Sequence, residues 1–313
     1  MTGSVSVNSF YLQTCFSFFL LMLVPHSLRA DGNFTVEAAS SKIDATVTAD
    51  SLQLTDAQLQ RWVQKAADAV VAYYGRYAVP HLALQIRSFD GKGVRGGQTF
   101  SRYGGFIRIA VGTESMQEDL ASDWMLTHEM VHLNFPNMQD QHHWIEEGIA
   151  TYVEPIARIQ AGQFSVQRMW LELVRDMPKG LPESGDAGLD HTHTWGRTYW
   201  GGALFCFLAD VEIRKQTQNK KGLQDALRAI LNAGGDMRYD WPIEKALQTG
   251  DRAVGGEVLL RLYEQMRDRP MQVDLDSLWK QLGVRIENGT AQFNGNAPLA
   301  KIREAITVPK PRS

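Results

Sequence analysis

A chain of 313 residues, 44% hydrophobic and 21% charged, has an ordinary globular composition and enough apolar mass for a sizeable core. Its 32 basic and 35 acidic residues give a formal charge of −3, with no excess of the kind a nucleic-acid-binding surface needs. Nucleic acid is therefore not an expected partner.

Residues 16–24 form an apolar run broken only by Ser17, and Pro25 and Ser27-Leu28-Arg29-Ala30 follow. This is the layout of a secretory signal, 1–30, cut after Ala30, with an uncleaved anchor as the alternative. The run is short for a membrane span, so the mature chain is expected outside the cytoplasm with no span of its own. Loss of 1–30 removes Cys15 and leaves Cys206 alone, which rules out an intrachain disulfide. The apolar neighbours of Cys206 predict a buried thiol.

Roughly alternating Phe34, Val36, Ile43, Ala45 and Val47 predict one or two strands. Thr55, with Gln58 three residues on, is a capping-box signature for a helix that Leu59, Trp62, Val63, Ala66, Val70 and Val71 carry to about Tyr74, where Gly75 ends it. Residues 81–87 alternate as a strand, the glycine-rich 91–97 reads as a loop, and 106–111 as another strand. From there the periodicity is helical, over 116–134, 144–160, 166–176, 195–216, 223–232, 242–247 and 257–267. The tail adds a short helix after Asp274, a strand around 284–293 and a helix near 299–306. No repeat or low-complexity linker interrupts 31–313, so a single α+β domain is expected, with a β-rich part, 31–112, holding one helix and a mostly helical part, 113–313.

The chemistry centres on Thr127-His128-Glu129-Met130-Val131-His132. On a helix, His128 and His132 stand one turn apart on one face, so both imidazoles reach one Zn²⁺, and Glu129 points beside it. There Glu129 can take a proton from a water whose pKa the metal lowers and pass it to a leaving amine. A catalytic zinc needs a third ligand and an open position. Glu147, within Trp144-Ile145-Glu146-Glu147-Gly148-Ile149-Ala150, has small or apolar neighbours that suggest an inward face, where a carboxylate is tolerable if a cation neutralises it.

These segments resemble the gluzincin metallopeptidases, specifically the branch with the aminopeptidase N and glycyl aminopeptidase families, in which HExxH is followed by W-x-x-E-G-x-A-x-Y. The resemblance implies a thermolysin-like catalytic domain, a small N-terminal mixed sheet followed by a mostly helical part. It implies one Zn²⁺ on His128, His132 and Glu147, with Glu129 as general base, and a peptide or protein substrate. Fourteen residues separate His132 from Glu147, a shorter spacer than in aminopeptidase N relatives. Tyr199-Trp200-Gly201-Gly202 resembles the segment whose tyrosine donates to the oxyanion, which assigns that part to Tyr199.

No G-x-M-E-N-like segment, through which aminopeptidase N relatives grip the free amine, precedes HExxH. The strand from Gly105 and Phe106 to Val111 is instead expected to be the substrate-pairing edge. His142, His143 and His191 read as surface or loop residues, and His193 as the histidine nearest the cleft. Asp123 and Thr151 are expected to support the ligand imidazoles by hydrogen bonds. The rival to peptide-bond hydrolysis is a non-catalytic zinc-binding pseudo-peptidase used for recognition or scaffolding. Glu129 and Tyr199 argue against it, because a purely structural metal needs neither.

Overall fold

The computed structural model describes residues 32–49, 52–101 and 104–309. The signal-like segment 1–30, with Cys15, lies outside the described residues.

Strands β1 (Gly32–Ala38) and β2 (Ser41–Thr48) pair antiparallel, and the chain crosses through α1 (Asp56–Tyr74) to β3 (His81–Phe89), parallel to β2. A parallel pair needs such a long crossover. The expected capping box forms at Thr55 and Gln58, and Gly75 ends the helix in the left-handed conformation at φ 82°. Strands β4 (Val94–Phe100) and β5 (Phe106–Gly112) pair antiparallel, and β5 lies parallel to β3. The sheet order is β1-β2-β3-β5-β4.

Ile43, Ala45 and Val47, Leu82, Leu84 and Ile86, and Ile107, Ile109 and Val111 are all buried, while Lys42, Thr46 and Arg87 between them are exposed. The sheet thus buries one face. Helix α1 belongs to the same core through Leu59, Val63, Ala67 and Val70 and packs on β1.

Two expectations about this sheet are corrected. Most of the glycine-rich segment read as a loop belongs to β4, whose exposed positions hide alternation and whose register shifts between Arg95 and Gln98, where Gly96 takes φ 64°. The edge strand at this end of the sheet is consequently β4, and the strand that begins after Gly105 at Phe106 is interior, hydrogen-bonded on both sides.

The expected helix over 116–134 is two, α2 (Gln117–Ala121) and α3 (Met125–His132). Asp123 causes the break: its carboxylate accepts from the backbone N–H groups of Met125 at 2.9 Å and Leu126 at 3.2 Å, and so starts a new helix. Helices α4 (His143–Gln160) and α5 (Val166–Asp176) match expectation. A π-helical turn, Gly196–Gly201, leads into α6 (Gly202–Thr217), where Cys206 is buried as expected. Helices α7 (Leu223–Asn232), α8 (Ile243–Val254), α9 (Val258–Met266) and α10 (Leu275–Leu282) follow. Helix α8 runs past its expected end because Gly250, a breaker by itself, lets Leu259 of α9 approach its backbone. The single strand expected around 284–293 is a hairpin of β6 (Val284–Glu287) and β7 (Thr290–Phe293) that turns at Asn288-Gly289, both at positive φ, before α11 (Ala300–Thr307). Among the described residues no helix is long and apolar enough to cross a membrane.

The contact that fixes the helical part is between α4 and the start of α6, where Gly148 lies against the Gly202 backbone and Gly202 against the Trp144 carbonyl oxygen. A Cβ at either position would collide with main chain. Gly148→Ala is expected to lower stability by about 2 kcal/mol, the cost of forcing extra volume into a packed interior. Urea unfolding measures it, and an unchanged midpoint would show that the two helices can separate freely.

Candidate active site

Short, buried α3 carries His128 and His132 one turn apart, with ring centroids 4.9 Å apart. Glu147 projects from α4, and its Oε2 lies 3.1 Å from His128 Nε2 and 3.6 Å from His132 Nε2. One ligand atom from each of the three residues falls within 4.8 Å of the others. Zinc bonds of about 2.0–2.2 Å at tetrahedral angles separate neighbouring ligand atoms by about 3.4 Å, so the donor set fits that ion in both spacing and chemistry. The other Glu147 oxygen, Oε1, lies 3.3 Å from His143 Nε2, and His143 Nδ1 is 3.3 Å from Glu146 Oε2.

Burial works to raise the Glu147 carboxyl, but the hydrogen bonds from His128 and His143 overcome it and hold Glu147 below the usual carboxylate range. Burial pushes His132 down to about 4 against the opposing field of Glu147, which keeps its imidazole neutral, the form that binds a metal.

Glu129 lies on α3 between the two histidines and faces β4. Thr99 Oγ1 stands 2.6 Å from Glu129 Oε2 and 2.9 Å from the Glu129 carbonyl oxygen. Gly97 makes this approach possible, since a Cβ there would come within 2.6 Å of Glu129 Oε1. Burial raises the Glu129 carboxyl, and the Thr99 hydrogen bond offsets only part of that.

Tyr199 lies in the π-helical turn, stacked between His128, at 6.2 Å between centroids, and Trp195, at 5.8 Å. Burial and then the charges of Glu147 and Glu129 push its phenol up to about 12, so it keeps its proton at neutral pH. Two cavities meet at Tyr199. One, about 490 Å³, is bounded by Thr99, Glu129, His132 and His143, and the other, about 440 Å³, by His128, Trp124, Phe164 and Trp200.

The expected metal and catalytic residues are thus together, and the expected supporting residues are not. Asp123 spends its carboxylate on the start of α3 and on Trp62 Nε1, at 2.9 Å. Thr151 borders the cavity beside His128 without a hydrogen bond to either imidazole. His193 is exposed and borders neither cavity. Gly105, just before the interior strand, packs on Val79, Leu82 and Leu133, and Phe106, its first residue, packs on Phe100 of β4. His142, read as a surface or loop residue, is buried and bonded to Asp190 at 3.1 Å, where Trp144 and Tyr263 also donate.

Sequence reasoning missed Thr99, in the part of β4 just past the segment read as a loop, and His143, whose i, i+4 spacing to Glu147 becomes legible once α4 starts one residue earlier. It also missed Glu154, two turns after Glu147, which is buried against Arg158 at 2.7 Å in the cavity beside His128. Burial pushes its carboxyl up to about 7 against the pull of Arg158.

No protein-family model matches the chain, and no curated protein matches it. Among solved structures it is similar to an aminopeptidase N family protein from Idiomarina loihiensis, at 12% identity and a TM-score of 0.61, covering 86% of this chain and 53% of that one. It is also similar to the M1 zinc metallopeptidase from Deinococcus radiodurans, at 14% identity and a TM-score of 0.52, covering 78% and 52% of the two chains. A mutant of that enzyme bound to a Tyr-Ser-Ala substrate gives 13% identity and a TM-score of 0.50 over 78% and 53%. The chain spans about half the length of these structures and shares their fold.

Replacing His143 by alanine frees the second Glu147 oxygen and should weaken zinc binding about 10-fold, as loss of an outer hydrogen-bond partner does. Competition against a chromogenic chelator reads the constant, and equal affinities would show that His143 does not hold the carboxylate.

Proposed function

We propose that the chain hydrolyses peptide bonds with one zinc ion held by His128, His132 and Glu147, Glu129 as general base and acid, and Tyr199 as oxyanion donor. The convergence of three donor atoms from α3 and α4 within 4.8 Å, with a fourth buried group, Glu129, beside them, carries this reading. The fold shared with zinc metallopeptidases supports it.

Bound at these donors, zinc would supply Lewis acidity and lower the pKa of a water molecule toward neutrality. Glu129 takes a proton from the attacking water as the water oxygen bonds to the scissile carbonyl carbon. Its raised pKa suits it to hold that proton briefly and deliver it to the amide nitrogen as the C–N bond breaks. Thr99 orients the carboxylate throughout by its hydrogen bond to Oε2. Tyr199 keeps its proton at neutral pH and donates to the carbonyl oxygen as negative charge grows there, an interaction strongest in the transition state. The free edge of β4 binds the substrate backbone as an added strand, beside Glu129.

Glu129→Gln should retain stoichiometric zinc by metal analysis while kcat falls about 10³-fold, the scale of a lost general base. Full activity in that variant refutes the assigned role, and inactivity of the wild type on broad peptide libraries favours a zinc-binding pseudo-peptidase. For Tyr199→Phe the expected loss is about 10²-fold in kcat with KM little changed. Steady-state kinetics separates the two constants, and a loss confined to KM would make Tyr199 a binding residue only.

A further inference from the structure

We propose that Arg197, locked to Asp186, is the positioning residue that holds Tyr199 in reach of the metal site. This rests on the peptidase reading above and adds to it a residue that borders neither cavity.

The turn Gly196–Gly201 has little apolar anchorage of its own. Trp195, just before it, is 59% exposed, and Tyr199 and Trp200 are half-buried. The one fully buried side chain in the turn is a cation, Arg197, at 3%. A guanidinium taken out of water is costly unless its donors are met. Its Nε lies 2.7 Å from Asp186 Oδ2, with both side chains almost completely enclosed, and its Nη1 donates to the Gly180 carbonyl oxygen. Apolar side chains of the same volume would hold a fold about as well, so stability alone does not account for an ion pair here. A planar fork does what apolar packing cannot: its donors are fixed in direction, so it sets the rotation of the turn as well as its distance.

Both partners of Arg197 are themselves tied down. Asp186 Oδ1 accepts from the Gly188 N–H at 2.9 Å. The residues that follow are fastened to the end of α9, through Leu189 N–H to the Met266 carbonyl oxygen at 2.8 Å and Asp190 N–H to that of Arg267 at 3.0 Å. Asp190 also accepts from Trp144 Nε1 at 2.7 Å, and Trp144 lies on α4 three residues before Glu147. On the other side, the short 3₁₀ turn Met177–Gly180 presses on the π-helical turn, where a Cβ at Gly180 would strike the Trp200 main chain and one at Gly196 the Lys179 carbonyl oxygen. Through Arg197, Tyr199 is thus referred to the same frame as Glu147. A hydroxyl displaced by about 1 Å from a developing oxyanion costs about 10²-fold in rate, so this frame bears on the chemistry as well as on folding.

The test replaces the pair together, Asp186→Leu with Arg197→Met, so that no lone charge is left buried. Hydrogen–deuterium exchange of the full chain, read by mass spectrometry with and without zinc, should show 195–201 exchanging about 10-fold faster while α3 and α4 keep their protection. Zinc affinity by chelator competition should stay within about 2-fold of wild type, because no hydrogen-bond partner of a ligand is removed. On a peptide substrate kcat should fall about 10²-fold with KM little changed. In the Tyr199→Phe background the same replacement should cost nothing further, the signature of a pair that acts only through that phenol. Arg197→Lys keeps the charge beside Asp186 but cannot also reach Gly180; it should show the same pattern at smaller size, and it serves if the paired variant does not fold. Unchanged exchange over 195–201, or equal losses of kcat with and without the Tyr199 hydroxyl, overturns the proposal and leaves the peptidase reading intact. Full kcat in Tyr199→Phe, or a wild type that cuts no peptide, is instead a failure of that reading, and exchange over 195–201 then decides by itself whether the pair braces the turn.

Discussion

Everything at this site follows from the cost of burying a carboxylate. Glu147 is 7% exposed and has two imidazole nitrogens against one oxygen and a third against the other. Such an anion is tolerable only where positive charge or hydrogen-bond donors compensate it, and a divalent cation between the three donors does so most completely. Glu129, equally buried at 7%, makes the demand sharper, because two buried anions repel across the same space.

Holding that arrangement is the work of close backbone contacts. Gly148 and Gly202 bring α4 onto the π-helical turn and so set Glu147 and Tyr199 at fixed reach. Gly97 does the same for β4 and Glu129. In each case a glycine occurs where a methyl group would strike main chain or the Glu129 carboxylate, which ties local sequence to the spacing of groups far apart along the chain. The π-helical turn itself fits this pattern, since such turns concentrate where a helix must re-aim a side chain.

The surroundings also tune the groups in opposite directions. Burial raises both the Glu129 carboxyl and the Tyr199 phenol, while hydrogen bonds from His128 and His143 lower Glu147. One carboxylate is thereby suited to exchange a proton, its neighbour to stay charged, and the phenol to remain a donor. Environment, more than residue type, separates these three roles.

Periodicity, spacing and neighbouring residues were enough for α1 with its capping box, the strands β2, β3 and β5, the helical second part, and the cluster of His128, Glu129, His132 and Glu147, whereas Tyr199 was reached only through the family resemblance. These signals are local: one helical turn, a cap, an alternation of two. Beyond their reach were β4, whose glycines and exposed positions erase alternation, and the break at Asp123, where a side chain outcompetes helix continuation. Which strand forms the sheet edge beside the site, that His143 touches the buried carboxylate while Thr151 and Asp123 do not bond the ligand imidazoles, and that a cavity opens on each side of Tyr199 are consequences of pairing and packing between distant segments. Only the tertiary structure decides them, because strand order and the meeting of helix faces depend on backbone contacts that no short stretch of residues encodes.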